Sequence, residues 1–311
     1  MHKVATREAY GRALVELGRQ NERVVVLDAD LSKSTKTEYF AQEFPHRFFN
    51  MGIAEQSLMG TAAGLALCHK IPFVSTFAVF ATGRAFDQVR NSIAYPRLNV
   101  KIAASHAGIT VGEDGASHQS VEDIALMRAV PNMTVIVPAD ATETRQAVFA
   151  AAEHEGPVYI RLGRMSVPVL YGEDYRFRLG KAHWLRQGRD VTIIACGYMV
   201  ALALEAARNL EAQGYAVGVV NMSTIKPLDR ETVLEAARES GAIVTAEEHS
   251  IIGGLGSAVA EVLSEEFPVP VRRVGLRDTF GESGSPEELL TKYGLTVADL
   301  EKNVKEVLLQ K

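Results

Sequence analysis

Glu55 is the lone carboxylate in Asn50-Met51-Gly52-Ile53-Ala54-Glu55-Gln56-Ser57-Leu58-Met59-Gly60, among apolar and small residues. It falls where a strand-like run, Phe48-Phe49, gives way to an alanine- and leucine-rich helical run. A carboxyl group so placed can be desolvated and aimed at a ligand, which suits proton transfer away from water. A residue that merely opens a helix would leave the same pattern, because helix N-termini favour acidic groups.

A second segment, Ser105-His106-Ala107-Gly108-Ile109-Thr110-Val111-Gly112-Glu113-Asp114-Gly115-Ala116-Ser117-His118-Gln119-Ser120, carries two histidines, two acids and three glycines. Histidine moves protons near neutral pH, and glycine lets backbone approach a ligand or take positive φ. A surface loop in which Ser117 or Ser120 caps the next helix is the plainer alternative. The His, Glu, Asp and His side chains are also candidate metal ligands, but their spacing fits no common site. Phe77 and Phe80, three apart, fit either a core or one wall of a planar ring site. Arg7, Arg161 and Arg164 are candidate clamps for phosphate or carboxylate. Ala29-Asp30-Leu31-Ser32-Lys33-Ser34-Thr35 follows the first strand and could cap the next helix. Gly253-Gly254-Leu255-Gly256-Ser257 precedes a helix but lacks the Walker lysine and the dinucleotide spacing, so it reads as tight packing or an interface. Glu247, Glu248 and His249 follow a strand end and receive no chemistry from the sequence.

These residues depend on their scaffold. Apolar runs at 24–27, 71–74, 100–104, 134–137 and 158–161 read as buried strands. Helical patterns at 54–67, 85–94, 121–127 and 141–152 separate them. The alternation lapses over 171–188 and resumes with strands at 191–195, 216–220, 242–246 and 269–274. Helices are expected at 200–213, 230–240, 257–265 and 297–309. The expected fold class is α/β, in two domains, each a mainly parallel sheet with helices on both faces. We place the domains at 1–172 and 189–311, joined by a linker at 173–188. Ligands of open parallel sheets bind beyond the carboxyl ends of the strands, so the loops at 28–35, 51–55, 76–83, 105–119 and 162–166 should cluster.

The chain has 311 residues, enough for two domains with real cores. A net charge of −5 without a basic run disfavours nucleic acid or an anionic membrane as partner. No apolar run reaches the roughly 20 residues of a membrane span, and the N-terminus lacks a signal-peptide pattern. Cys68 and Cys196 sit in apolar runs and read as structural burials. A cytoplasmic location is expected.

Taken in order, Met51-Gly52-Ile53-Ala54-Glu55-Gln56, Thr76-Phe77 with Phe80, and Gly112-Glu113-Asp114-Gly115-Ala116-Ser117-His118-Gln119 resemble the transketolase family of thiamine diphosphate enzymes. Specifically, the chain resembles the pyrimidine-binding domain followed by the transketolase C-terminal domain. Ala5-Thr6-Arg7-Glu8-Ala9, Ala29-Asp30-Leu31 and Thr279-Phe280-Gly281-Glu282-Ser283-Gly284 carry the likeness to both ends. The resemblance implies transfer of a two-carbon ketol unit between sugar phosphates. Glu55 matches the glutamate that bonds N1′ of the cofactor's aminopyrimidine and so activates the thiazolium. Phe80 matches the aromatic stacked on that ring, with Phe77 beside it. Asp30 and Leu31 match residues near the thiazolium across a subunit boundary. His106, Asp114 and His118 match contacts to sugar hydroxyls, the histidines also assisting proton transfer. Arg7, Ser34 and Arg164 match the grip on the sugar phosphate.

The sequence also departs from the family pattern. Gly83 stands where many transketolases place a ring-contacting tyrosine, and Ala54 and Gln56 replace arginine and histidine. The Ala-Glu-Gln form is closer to deoxyxylulose-phosphate synthase. The family's metal set, Gly-Asp-Gly and a later asparagine, is missing, since Asn132 follows Glu113-Asp114-Gly115 too closely. The expectation is therefore one subunit of a split transketolase, with no metal site of its own. An N-terminal partner subunit would hold the diphosphate and Mg²⁺ in a two-plus-two heterotetramer built on a homodimer of this chain. Half of a deoxyxylulose-phosphate synthase, a 2-oxoacid dehydrogenase β subunit and a non-enzymatic binding module are the alternatives.

Overall fold

The structure is a computed structural model that describes residues 2–311. Its strands are β1 (Lys3–Ala5), β2 (Val24–Asp28), β3 (Phe48–Asn50), β4 (Ile71–Ser75), β5 (Lys101–Ala104), β6 (Thr134–Ile136) and β7 (Val158–Arg161), followed by β8 (Ser166–Pro168), β9 (His183–Arg186), β10 (Val191–Ala195), β11 (Val217–Asn221), β12 (Thr224–Lys226), β13 (Ile243–Ser250) and β14 (Val271–Leu276). Runs such as Val24-Val25-Val26-Leu27 are apolar at every position because β2 is covered on both faces, and all five of its residues are buried. The first sheet runs β12-β6-β7-β5-β4-β2-β3 and the second β14-β13-β10-β11-β9. Each is parallel except for one antiparallel edge strand, β12 in the first and β9 in the second. The two-domain, mainly parallel α/β expectation is met.

Three features depart from the sequence reading. Helix Thr6–Gln20 was not foreseen, although Tyr10, Leu14 and Leu17 recur on one face and pack beside helix Ala141–Glu153. The polar stretch at 173–188 is not purely a connector. It contains β9, and the stacked rings of Tyr171 and Tyr175 are buried beside it. Strand β12, from the second half of the chain, pairs with β6 through Thr224↔Ile136 and Lys226↔Val135. One apolar cluster accordingly runs from Val25 and Leu58 through Met127 to Ile194, Val220 and Leu255, crossing between the sheets. Each such side chain stabilises the fold by roughly 1.5–3 kcal/mol when fully buried.

Cys196 is buried as expected, but Cys68 is exposed because it lies at the C-cap of helix Glu55–Leu67, where the chain turns. Gly254 lacks room for a Cβ against Glu247, whose carboxylate accepts from Leu255 N and Gly256 N at 2.7 and 2.8 Å. The N-terminus of helix Leu255–Glu266 is thus satisfied from within, consistent with the packing reading of that glycine run.

Candidate active site

The loops that follow β2, β4, β5 and β7 are tied side by side. Ala29 N donates to Ser75 O, Ala78 N to Ser105 O, and Ala107 N to Leu162 O. Residues far apart in sequence therefore meet at one sheet edge.

Glu55 opens helix Glu55–Leu67 and is only 3% exposed. Among the described residues its carboxylate has one side-chain partner: Arg84 Nη1 donates to Oε1 at 2.7 Å. The Arg84 guanidinium also lies 4.2 Å from the ring centre of Phe80. This follows from a local irregularity. An ordinary helix was expected over 85–94, but the backbone makes π turns at Phe80–Arg84 and Gln88–Ala94, with Ala85 N bonded to Phe80 O. A π turn widens the helix, so the residue four past Phe80 comes back over its ring. Arg84 was not singled out from the sequence; its spacing from Phe80 was the available signal.

Phe77 and Phe80 stack at 5.9 Å and 13°. His106 also stacks on Phe77, at 3.8 Å, and Phe77 is buried whereas Phe80 is half-buried. His118 stands edge-on to both, 5.4 Å from Phe80 and 6.2 Å from Phe77. Its Nδ1 is 3.0 Å from Ser117 Oγ.

His106 holds a positive φ of 57° and is 3% exposed. Ser105 Oγ is 2.8 Å from Nδ1, and Arg7 Nη1 is 3.2 Å from Nε2. Guanidinium only donates, so Nε2 accepts and the imidazole proton is assigned to Nδ1, facing Ser105. Burial, then the charges of Arg7 and Arg164, push the His106 pKa down to about 3. At neutral pH the ring is uncharged and its acceptor nitrogen is occupied.

Arg7 also donates to Ser34 O at 2.8 Å, so Ser34 contributes its carbonyl, and Arg7 Nε is buried without a partner. Burial and the nearby Arg164 lower the Arg7 pKa. Arg164 donates to Val111 O and lies 3.5 Å from Asp114 and 3.7 Å from Glu113. Lys3, Arg7, Arg12, Lys36 and Arg164, with Glu8 bonded to Arg12 among them, line a cavity of about 460 Å³ whose excess of positive charge suits an anion.

The predicted residues therefore form two groups. Glu55, Phe77, Phe80, His106 and His118 make a ring-and-proton group, and Arg7, Ser34, Asp114 and Arg164 an anion group. The Arg7–His106 contact joins them. Among the described residues Asp30 has no hydrogen bond or ring contact to either group, whereas Leu31 meets the anion group through backbone, Ser34 N donating to Leu31 O at 2.8 Å. Asp30, at φ 63°, accepts from Asn50, and Leu31 N is held by buried Asp28 at 2.6 Å. Asp28 also takes the hydroxyls of Thr35 and Thr37, so this carboxylate organises the turn, whereas helix Ser32–Thr35 has no side-chain cap. Neither Ser117 nor Ser120 caps helix Asp123–Ala129; Glu122 occupies its N-cap.

Arg161 has a structural position: it is bonded to fully buried Asp123 at 2.7 and 3.1 Å and donates to Glu248 O at 2.9 Å. Burial, the largest single influence, pushes the Asp123 pKa up, but the charges of Arg161 and His249 and the hydrogen bonds from Arg161 and Tyr159 together bring it below its usual value. Among the described residues no three His, Cys, Asp or Glu side chains converge as a metal site. No helix there is long and apolar enough to cross a membrane.

Fold and site define a two-domain α/β protein that gathers a buried carboxylate, an aromatic wall and a cationic pocket at one strand-end edge. The family profile for the transketolase pyrimidine binding domain matches residues 2–169, and that for the transketolase C-terminal domain matches 180–300. The chain belongs to the transketolase family. It is 51% identical over 303 residues to a putative transketolase C-terminal section of Methanocaldococcus jannaschii, covering 96% of this chain and 95% of that protein. It is 48% identical to a 6-deoxy-6-sulfo-D-fructose transketolase subunit of Clostridium sp. (strain MSTE9), covering 97% and 94%. A solved chain described as a split gene transketolase, inactive beta4 tetramer, superposes with a TM-score of 0.93 at 64% identity, covering 98% of this chain and 99% of that one.

Proposed function

We propose that this chain is the C-terminal subunit of a two-chain transketolase. It would move a two-carbon ketol unit between ketose and aldose phosphates with thiamine diphosphate. The observation that carries the reading is the buried Glu55 carboxylate, joined to the Phe80 ring through the Arg84 guanidinium. An aminopyrimidine fits this pair, with its face on Phe80 and a ring nitrogen toward an acceptor. A Cβ at Gly83 would meet nothing within 4 Å, so the wall is open where many family members have a tyrosine.

When bound, the cofactor would supply a carbon nucleophile for the sugar carbonyl. Glu55 would share a proton with the pyrimidine ring nitrogen, and its burial keeps water from competing for that proton. Arg84, half-exposed, must release Glu55 and Phe80 for the ring to enter. Neutral His106 would hold Arg7 through Nε2, and would meet a sugar hydroxyl only where Arg7 yields that nitrogen. His118, with an accessible ring, would be the proton-transfer group. Arg7, Ser34 and Arg164 would fix the terminal anion, while Asp114 holds Arg164 and reaches a hydroxyl. Asp30 and Leu31 would approach the thiazolium of a site completed by another subunit.

In this reading, 1–172 and 189–311 are the two units, joined through 173–188. The diphosphate and Mg²⁺ belong to an N-terminal partner carrying the Gly-Asp-Gly and asparagine set that this sequence lacks. The assembly is two such partners around a homodimer of this chain. The inactive beta4 form named for the solved relative supports the need for a second kind of chain. The sulfofructose-directed relative supports a pocket that reads terminal charge, since phosphate and sulfonate are both anions that guanidinium groups can bind.

The test is reconstitution with such a partner, assaying xylulose 5-phosphate or 6-deoxy-6-sulfo-D-fructose as donor and ribose 5-phosphate as acceptor. Glu55→Ala should lower transfer by about 100-fold or more. Transfer within several-fold of wild type would end the Glu55 role.

A further inference from the structure

The loop bearing His106 and His118 is held by both domains: Ala107 N donates to Leu162 O and Gly108 N to Ser120 O within the first, and the second packs against its glycines. Its three glycines, expected to admit a ligand, instead admit the C-terminal domain. Gly108, at φ 82°, leaves room for the Glu248 carboxylate, which a Cβ would overlap. Gly112, at φ 81°, faces Pro286 and Gly284, and Gly115, at φ 77°, faces Ser283. Glu248 Oε1 accepts from Thr110 N at 2.8 Å, in the middle of the loop. Gln119 Nε2 spans the same joint, donating to Gly112 O at 3.0 Å and to Glu282 O at 2.8 Å. Beyond the loop, Ser250 N donates to Val121 O at 2.7 Å.

Glu248 is 5% exposed and takes no part in the proposed chemistry. Burial raises its pKa, a cost that a carboxylate kept only for packing need not carry. Its carboxylate holds the loop at Thr110, through both the backbone N–H and the side chain. Arg161, its neighbour, bonds to the Glu248 carbonyl rather than to the carboxylate.

We propose that the C-terminal domain acts on the chemistry by moulding the 106–118 loop, with Glu248 as the positioning residue and Gln119 as the second tie. The inference rests on the transketolase reading for its effect on turnover, but not for its effect on loop order. A displacement of about 1 Å in a reacting group can cost on the order of 100-fold in rate. A remote tie to the loop backbone can therefore matter as much as a contact with substrate.

The test compares Glu248→Ala, Glu248→Gln and Gln119→Ala in the full chain and in the reconstituted complex. Amide hydrogen exchange over 107–119 should speed by about tenfold or more in Glu248→Ala while β2 is unchanged. Glu248→Gln keeps an acceptor for Thr110 N and should restore slow exchange. In the complex, Glu248→Ala should lower kcat by about tenfold or more while the KM for thiamine diphosphate stays within about threefold. Should Glu248→Ala fail to fold, Gln119→Ala cuts the second tie, to Gly112 O and Glu282 O, and should speed the same exchange. Unchanged loop exchange overturns the proposal whatever the reaction. Faster exchange with unchanged kcat overturns the link to chemistry. If the wild-type complex transfers no ketol unit, the transketolase reading fails while the exchange arm still decides the positioning role.

Discussion

Arg84 Nη1 donates to Glu55 Oε1 at 2.7 Å, pairing a half-exposed cation with a carboxylate that is 3% exposed. The pair satisfies a buried charge at the point where the proposed chemistry needs that charge free. Breaking it should be costly to the unliganded chain. Arg84→Ala is expected to lower the unfolding free energy by about 1–3 kcal/mol, read from urea denaturation. Glu55→Gln should recover part of that loss in the double variant, because a neutral amide tolerates the missing partner. Additive effects would show that the two side chains are not coupled.

Asp123 and Arg161 form a buried ion pair within the first domain, and Arg161 reaches the second by holding Glu248 O. Asp123→Ala leaves a guanidinium buried without its carboxylate. The expected loss is about 3–5 kcal/mol, visible as a lower midpoint in thermal or urea unfolding. A loss below about 1 kcal/mol would show that water reaches Arg161.

The folded-state pKa of His106 is depressed to about 3 from 6.5. Between those values the unfolded chain binds a proton that the folded chain refuses, so stability is lost as pH falls from about 6.5 toward 3. Each unit of that window carries up to about 1.4 kcal/mol. His106→Gln should flatten the stability profile between pH 6 and 4, measured as unfolding free energy against pH. An unchanged slope would assign the acid sensitivity to other groups.

Arg164 reaches the cationic pocket while lying 3.5 Å from Asp114. Arg164→Ala removes a charge-assisted bond of roughly 1.5–3 kcal/mol. In the reconstituted complex, KM for an anionic ketose should rise by about 10- to 150-fold, with a smaller change in kcat. A neutral ketose should be affected far less, and equal loss on both would remove Arg164 from anion binding.

Much of this was legible in the sequence because it is written in local pattern. The continuous apolar run 24–27 announced a strand buried on both faces, and the alternation of such runs with helical periods announced parallel sheets. The position of Glu55 at a strand-to-helix transition was readable, as was the chemical density of 105–120. What escaped was decided by contact. The four-residue spacing of Phe80 and Arg84 was readable, but the π turns at 80–94 and the long-range bond from Arg84 to Glu55 were not. β12 is too short to announce that it would pair with a sheet from the other half of the chain.

The sequence by itself determined the fold class, the loops that matter and the identities of the charged, aromatic and imidazole groups at the site. These follow from periodicity and side-chain chemistry, which are local. The tertiary structure decided the state of those groups. His106 is neutral because burial and two arginines from distant segments surround it. The glycines of its loop face Glu248, Ser283 and Pro286 rather than a ligand because the second domain folds against them. Glu55 was visible from its own neighbours, but its partner was not, since a charge answers to whatever lies within a few ångströms in space.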